Sequence, residues 1–180
     1  MKSSGVAKEV VFNNVLTLSF IWFPLTGFTV SIVLFYLYAE YGFNYLGVWG
    51  LIFTGFIVLF IMNLLLKYFS KNIRLYFTGN DMDIEINGQL QKIQKQDVVG
   101  LFAPDYENSK SSLISLQLCF KNGNKLDITD SKFTEKYDVG VNEVLKKDLR
   151  FILDELGFIK IRQSKSRAFK KQGAYWYAVG

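Results

Sequence analysis

Between Glu9 and Glu40, and again between Glu40 and Lys67, the chain carries no Asp, Glu, Lys or Arg. A bilayer's hydrocarbon core takes about 20 consecutive apolar residues per helix. The pattern therefore predicts two membrane spans, Thr17–Ala39 and Leu46–Leu66, with Glu40–Tyr45 as the connecting loop. A soluble helix of this length would carry a polar stripe, and neither segment does. Pro24 predicts a bend in the first span. Gly27 and Ser31, four residues apart, would let a second helix approach closely. Neither span carries a charged group on which ion or proton transport could run.

After Lys67 the pattern changes from continuous to alternating. Ile73, Leu75 and Phe77, then Met82, Ile84 and Ile86, read as the inward faces of two strands, and Asn87-Gly88 as a tight hairpin turn. The spacing of Leu90 and Ile93 predicts a bulge. Val98–Ala103, Leu113–Phe120 and Lys125–Thr129 complete six strands, with Pro104–Ser112 as a polar loop and Lys121-Asn122-Gly123-Asn124 as a turn. Mostly hairpin connections predict an antiparallel meander. Val141, Val144, Leu145, Leu149, Ile152, Leu153 and Leu156 then follow the i, i+3, i+4 rule of a helix covering that sheet, with Gly157 as its stop. The predicted fold class is a membrane α-hairpin followed by an α+β domain, an antiparallel sheet or curled barrel capped by a C-terminal helix.

Charge sets the orientation. Lys2 and Lys8 balance Glu9 and Glu40, so the whole net charge of +5 lies beyond Leu66. Lys2 and Lys8 precede the first span and Lys67, Lys71 and Arg74 follow the second, while Glu40–Tyr45 has no base. The positive-inside rule then places both termini in the cytoplasm. From Leu156 to the end there is no carboxylate side chain, but Lys160, Arg162, Lys165, Arg167, Lys170 and Lys171 occur, followed by Trp176. Such a tail either lies on an anionic leaflet, with Trp176 at the interface, or stays solvated. The expected division is a cytoplasmic arm (1–14), a two-helix hairpin (15–69), a β-domain (70–158) and a basic tail (159–180).

Chemistry is sparse. The chain has no histidine and a single cysteine, Cys119, which alternates with Leu118 and Phe120 and so reads as a buried thiol. Without histidine the commonest general base and zinc ligand are missing. No phosphate-binding glycine loop is present. Asp81, Asp83 and Glu85 read as a solvated strand face, because Ile84 and Ile86 stand where a calcium loop would need ligands. No catalytic, cofactor-binding or metal-ligating residue is expected, nor a nucleic-acid partner.

The element order resembles bacterial membrane-anchored proteins with a pleckstrin-homology-like (PH-like) domain, in particular the YcxB-like family. Ile93-Gln94-Lys95-Gln96-Asp97-Val98 is similar to that family's "I-polar-W-polar-D-I" strand, with Lys95 at the Trp position. Ile128-Thr129-Asp130-Ser131-Lys132-Phe133 shares the Ile and Phe of a second segment. The resemblance implies a PH-like fold in a bacterial inner-membrane protein and no enzyme chemistry. The expected partners are the bilayer, anionic lipid at the tail and a protein at the inner membrane face, with room for self-association. The expected role is an adaptor or accessory module; the alternative is an immunity or membrane-stress protein acting through its aromatic-rich spans.

Overall fold

The computed structural model describes residues 8–17, 22–108, 110–131, 137–163 and 174–180. The chain forms two compact units: Met1–Thr17 with Lys71–Gly180, and Leu18–Ser70.

The second unit is helical. Helix α1 (Trp22–Leu37) runs into a π-helical turn (Tyr38–Gly42) and then α2 (Phe43–Phe69). The expected loop at Glu40–Tyr45 is thus corrected: those residues are helical, and the unit is one long apolar helical run. The polar cluster around Glu40 looks like a loop in sequence. In helical form, however, its backbone groups satisfy one another. Backbone geometry leaves the helix at Gly47 (φ 51°, ψ −142°), a region that essentially only glycine occupies. The Tyr38 hydroxyl donates to the Gly47 carbonyl there. Met62 of α2 packs so closely on Gly27 of α1 that a side chain at Gly27 would collide with it. Residues that far apart on a straight helix would be separated by about 50 Å, so the run is strongly bent. Leu25–Phe69 is long and apolar enough to cross a membrane, and its most apolar window is only 11% buried.

The other unit is a large antiparallel sheet with one covering helix. Its strands are β1 (Lys8–Leu16), β2 (Ser70–Thr78), β3 (Asp81–Ile86), β4 (Gln89–Gln94), β5 (Val98–Pro104), β6 (Ser115–Phe120), β7 (Lys125–Asp130), β8 (Ile159–Gln163) and β9 (Ala174–Ala178). Their order is β4-β3-β2-β1-β7-β6-β5-β9-β8. Three strands are absent from the sequence reading. Strand β1 runs from the expected arm (1–14) into the first residues of the expected hairpin (15–69), and its Val10 and Phe12 face the core. Asn14 (φ 55°) then takes a left-handed conformation that breaks the alternation, and Val15 rather than Asn14 joins the core. The expected tail from 159 contains β8 and β9, so the domain does not end at 158. Because β1 lies between β2 and β7, the sheet is two meanders joined through a strand from the N-terminus, not one six-strand meander.

The tight turns are as read: Asn87 (φ 49°) and Gly88 (φ 84°) link β3 to β4, and Gly123 (φ 83°) helps link β6 to β7. The bulge expected at Leu90 and Ile93 does not form. Ile86↔Gln89 through Asp81↔Gln94 pair without interruption, and Leu90 faces outward opposite Glu85. The irregularity lies instead between Val98 and Gly100 of β5.

Helix α3 (Val139–Leu156) buries Leu145, Leu149 and Ile152, each worth about 1.5–3 kcal/mol. Val141 and Val144, expected on the same stripe, are exposed. The Asp138 carboxylate accepts from Val141 N at 3.1 Å as N-cap, and Gly157 (φ 66°) ends the helix. Phe151 meets Phe77 edge to face at 5.4 Å. Lys95 Nζ reaches Glu155 at 2.7 Å, tying the helix to the corner between β4 and β5.

On the far side, Trp176 of β9 lies over Gly100 and 4.5 Å from the Phe102 ring, and a Cβ at position 100 would overlap the indole. Gly100→Ala should therefore cost about 1–3 kcal/mol by displacing Trp176. Urea unfolding of the detergent-solubilised chain checks this; an unchanged midpoint would show that the indole moves aside freely.

Candidate binding groove

The sheet unit carries a groove of about 770 Å³ between the β3–β4 hairpin and the β6–β7 turn. Its apolar lining comes from Ile84, Ile86 and Ile93 on one side and Phe120 and Leu126 on the other. The two walls separate because β4 leads through a short 3-10 turn (Lys95–Asp97) into β5, whose Val98 pairs with Phe120. At that corner Lys121 N donates to Asp97 O at 2.9 Å, which fixes the spacing of the walls. Glutamine and asparagine amides, Gln91, Gln94, Asn122 and Asn124, supply polar lining.

Two lysines, Lys121 and Lys125, stand at the groove with one carboxylate, Asp97, while Lys92 alternates with Ile93 and lies across from Asp83 on the other face of the sheet. The Lys121–Asp97 pair is long, at 3.8 Å, and about half exposed on both sides. Such a pair is worth at most about 1 kcal/mol and leaves the groove electropositive. A volume in this range suits a small ligand or a short segment of chain. Nothing in the sequence pattern isolated the groove, because its walls come from two hairpins, β3–β4 and β6–β7, that lie apart in the chain.

The residues expected to touch lipid are placed differently. Lys160 lies on β8, where Nζ is 2.6 Å from Asp105 Oδ2 and 3.8 Å from the centre of the Tyr175 ring. Asn108 Nδ2 donates to the same oxygen at 2.7 Å. Burial raises the Asp105 pKa, but the hydrogen bonds from Asn108 and Lys160 and the lysine's charge outweigh it, holding the carboxyl below its ordinary value. Trp176 is half-buried on Phe102 within the sheet rather than at the end of a free tail. Arg162 falls within β8 without a described side chain, and Lys165, Arg167, Lys170 and Lys171 lie outside the described residues. Alternation in Ile159-Lys160-Ile161-Arg162 was the available sign of a strand there.

Of the residues expected to set topology, Lys67 is exposed in the last turn of α2, and Lys71 and Arg74 lie on β2, Arg74 opposite Glu85. Lys8 begins β1, and Lys2 lies outside the described residues. Cys119 is buried in β6, and burial pushes its thiol pKa up. Among the described residues no group of three or more His, Cys, Asp or Glu is placed to hold a metal ion.

The loop after β5 is more than polar. Tyr106 is fully buried; its hydroxyl donates to Leu113 O at 2.9 Å and accepts from Ser115 N at 3.1 Å. Burial pushes its pKa far above the usual tyrosine range, and raises that of Tyr177 to about 12. Asn142, inside α3 and 1% exposed, donates to Ser111 O at 2.6 Å, so the same loop holds the helix in place.

No protein-family model, curated protein or solved structure matches this chain.

Because the Asp105 carboxyl titrates below its ordinary value when folded, its stabilising effect is fully present above the unfolded value of about 3.9 and is lost as pH falls through the folded one. Asp105→Asn should lower stability by about 1–2 kcal/mol at pH 7, with the gap to wild type narrowing below about pH 4. Urea titrations across that range measure it, and a gap independent of pH would assign the loss to packing.

Proposed function

We propose that the chain is an integral membrane protein whose apolar helical run crosses the bacterial inner membrane twice, folded at Gly47. In this reading it presents a PH-like sheet domain to the cytoplasm as an adaptor. The observation that carries the double crossing is the adjacency of β1 and β2 in one sheet. These strands flank the run, and a segment that leaves a sheet and returns to its neighbouring strand crosses a membrane an even number of times. Asn14 N donates to Asn72 Oδ1 at 3.1 Å. Extended chain from Asn14 to Leu25 and from Phe69 to Asn72 spans at most about 50 Å in all. A straight helix over the 45 residues Leu25–Phe69 would need about 68 Å, more than twice one hydrocarbon core of about 30 Å. The close approach of Met62 to Gly27 and the glycine-only geometry at Gly47 agree with a reversal.

Aromatic and aliphatic side chains such as Phe28, Ile32, Tyr36, Phe53, Phe56 and Phe60 are exposed along the run, a surface far larger than a water-soluble chain leaves bare. Lipid is the solvent that suits it. Lys67, Lys71 and Arg74 beside the second crossing favour a cytoplasmic sheet domain, with Glu40 near the external turn. The PH-like reading is supported by four strands in succession (β1 to β4), a second meander (β5 to β7) and then α3, with the apolar run inserted in the β1–β2 connection. The adaptor role is supported by the groove, a lined and charged surface suited to recognition.

Two measurements test this reading. Alkaline phosphatase fused after Gly180 should be inactive and a green fluorescent protein there should fluoresce, while a cysteine introduced at Tyr41 should react with an impermeant maleimide. An active phosphatase would overturn the orientation. Affinity capture from detergent-solubilised membranes should recover a stoichiometric protein partner, and repeated recovery of the chain by itself would overturn the adaptor role.

A further inference from the structure

We propose that the free edge of β4, together with the groove beside it, receives an extended acidic peptide segment of a partner protein, added to the sheet as a further strand. This rests on the adaptor reading and specifies its partner's chemistry.

The register identifies the free groups. The two-residue turn at Asn87-Gly88 makes Ile86↔Gln89 the first hydrogen-bonded pair, and bonded and non-bonded pairs then alternate along an antiparallel ladder. Lys95 N donating to Asn80 O at 2.9 Å continues the same phase. Gln89, Gln91 and Ile93 are therefore bonded to β3. The N–H and C=O groups of Leu90, Lys92 and Gln94 point away from it, at the end of the sheet. An edge of this kind is a template for strand addition.

The two edges of the sheet differ. At β8 the pairing shifts register between Lys160 and Arg162, an irregularity of the kind that blunts an edge. Strand β4 has no proline and pairs regularly along all of its length. Its one charged residue is Lys92, across from Asp83 on the face away from the groove. Lys121 and Lys125 on the opposite wall favour an acidic segment, with Asp97 as the opposing charge. Six residues of β4 extend for about 20 Å, enough for a segment of five or six residues. Alternating apolar and acidic side chains would meet Ile93, Phe120 and Leu126 on one face and Lys92 on the other, with Lys121 and Lys125 beyond the groove.

The test uses the full chain in detergent micelles and a fluorescein-labelled hexapeptide of alternating glutamate and valine. Fluorescence anisotropy should show binding that weakens with salt. A lysine–valine peptide of the same length should bind at least about tenfold more weakly, and so should the acidic peptide to a Lys121→Gln, Lys125→Gln variant. Hydrogen exchange at Leu90, Lys92 and Gln94 should slow when the acidic peptide is bound. Lys92→Pro removes an outward N–H and no bond to β3, so it should abolish binding, whereas Lys92→Gln should only weaken it.

Absence of binding, equal binding of the two peptides, or unchanged exchange at those three amides would overturn the proposal. Full competition by millimolar free glutamate would also overturn it, in favour of a small-anion site. If a captured partner stays bound to the Lys121→Gln, Lys125→Gln variant, the groove assignment fails while the adaptor role stands. If the peptide binds as expected and no partner is ever captured, the adaptor role fails and the groove assignment stands.

Discussion

The pairing of β1 with β2 constrains everything else in this protein. A stretch of chain with almost no charge departs from one strand and comes back in the next. Whatever path it follows must close on itself within the distance that two neighbouring strands allow. That closure excludes a straight helix, gives the break at Gly47 a reason, and makes the absence of a side chain at Gly27 useful where Met62 comes near. The Asn14–Asn72 hydrogen bond lies close to the two points where the chain leaves and re-joins the sheet.

The parts of the fold legible in the sequence are those with local causes. The turn at Asn87-Gly88 needs positive φ at two successive residues, and asparagine and glycine accept it. Helix α3 declares itself by the spacing of Leu145, Leu149 and Ile152 and by Gly157. The inward residues of β2 and β3 alternate because one face is buried. What was missed depends on distant partners. Val10 and Phe12 merge in sequence with the apolar run that follows, and only β7 and β2 make them part of a sheet. Trp176 reads as an interfacial residue until the space above Gly100 is known. The groove is a gap between four strands, and no period in the chain marks a gap.

The polar interior repeats this lesson. Asn142, Tyr106 and Asp105 look like ordinary surface residues of a helix or loop. In the structure each is buried with a specific partner, and together they fix the chain between β5 and β6 against α3 and β8. A buried polar group left without its partner costs about 1–3 kcal/mol, so these contacts determine which arrangement the apolar surfaces adopt. Lys95 acts similarly: its charge meets Glu155 while it lies 5.6 Å from the centre of the Phe77 ring.

The position of β1 ahead of the apolar run has a consequence for biosynthesis. Val15 pairs with Asp130, so β1 leaves the ribosome long before the strand it lies against exists. For that interval its Val10 and Phe12 have no core to enter. The β2–β4 and β5–β7 meanders need only local contacts and are able to form as they emerge. The pairing that joins them, β1 with β7, spans a sequence separation that makes it slow. Completion of the sheet therefore waits on β1, and without it β2 and β7 would remain as two unpaired edges.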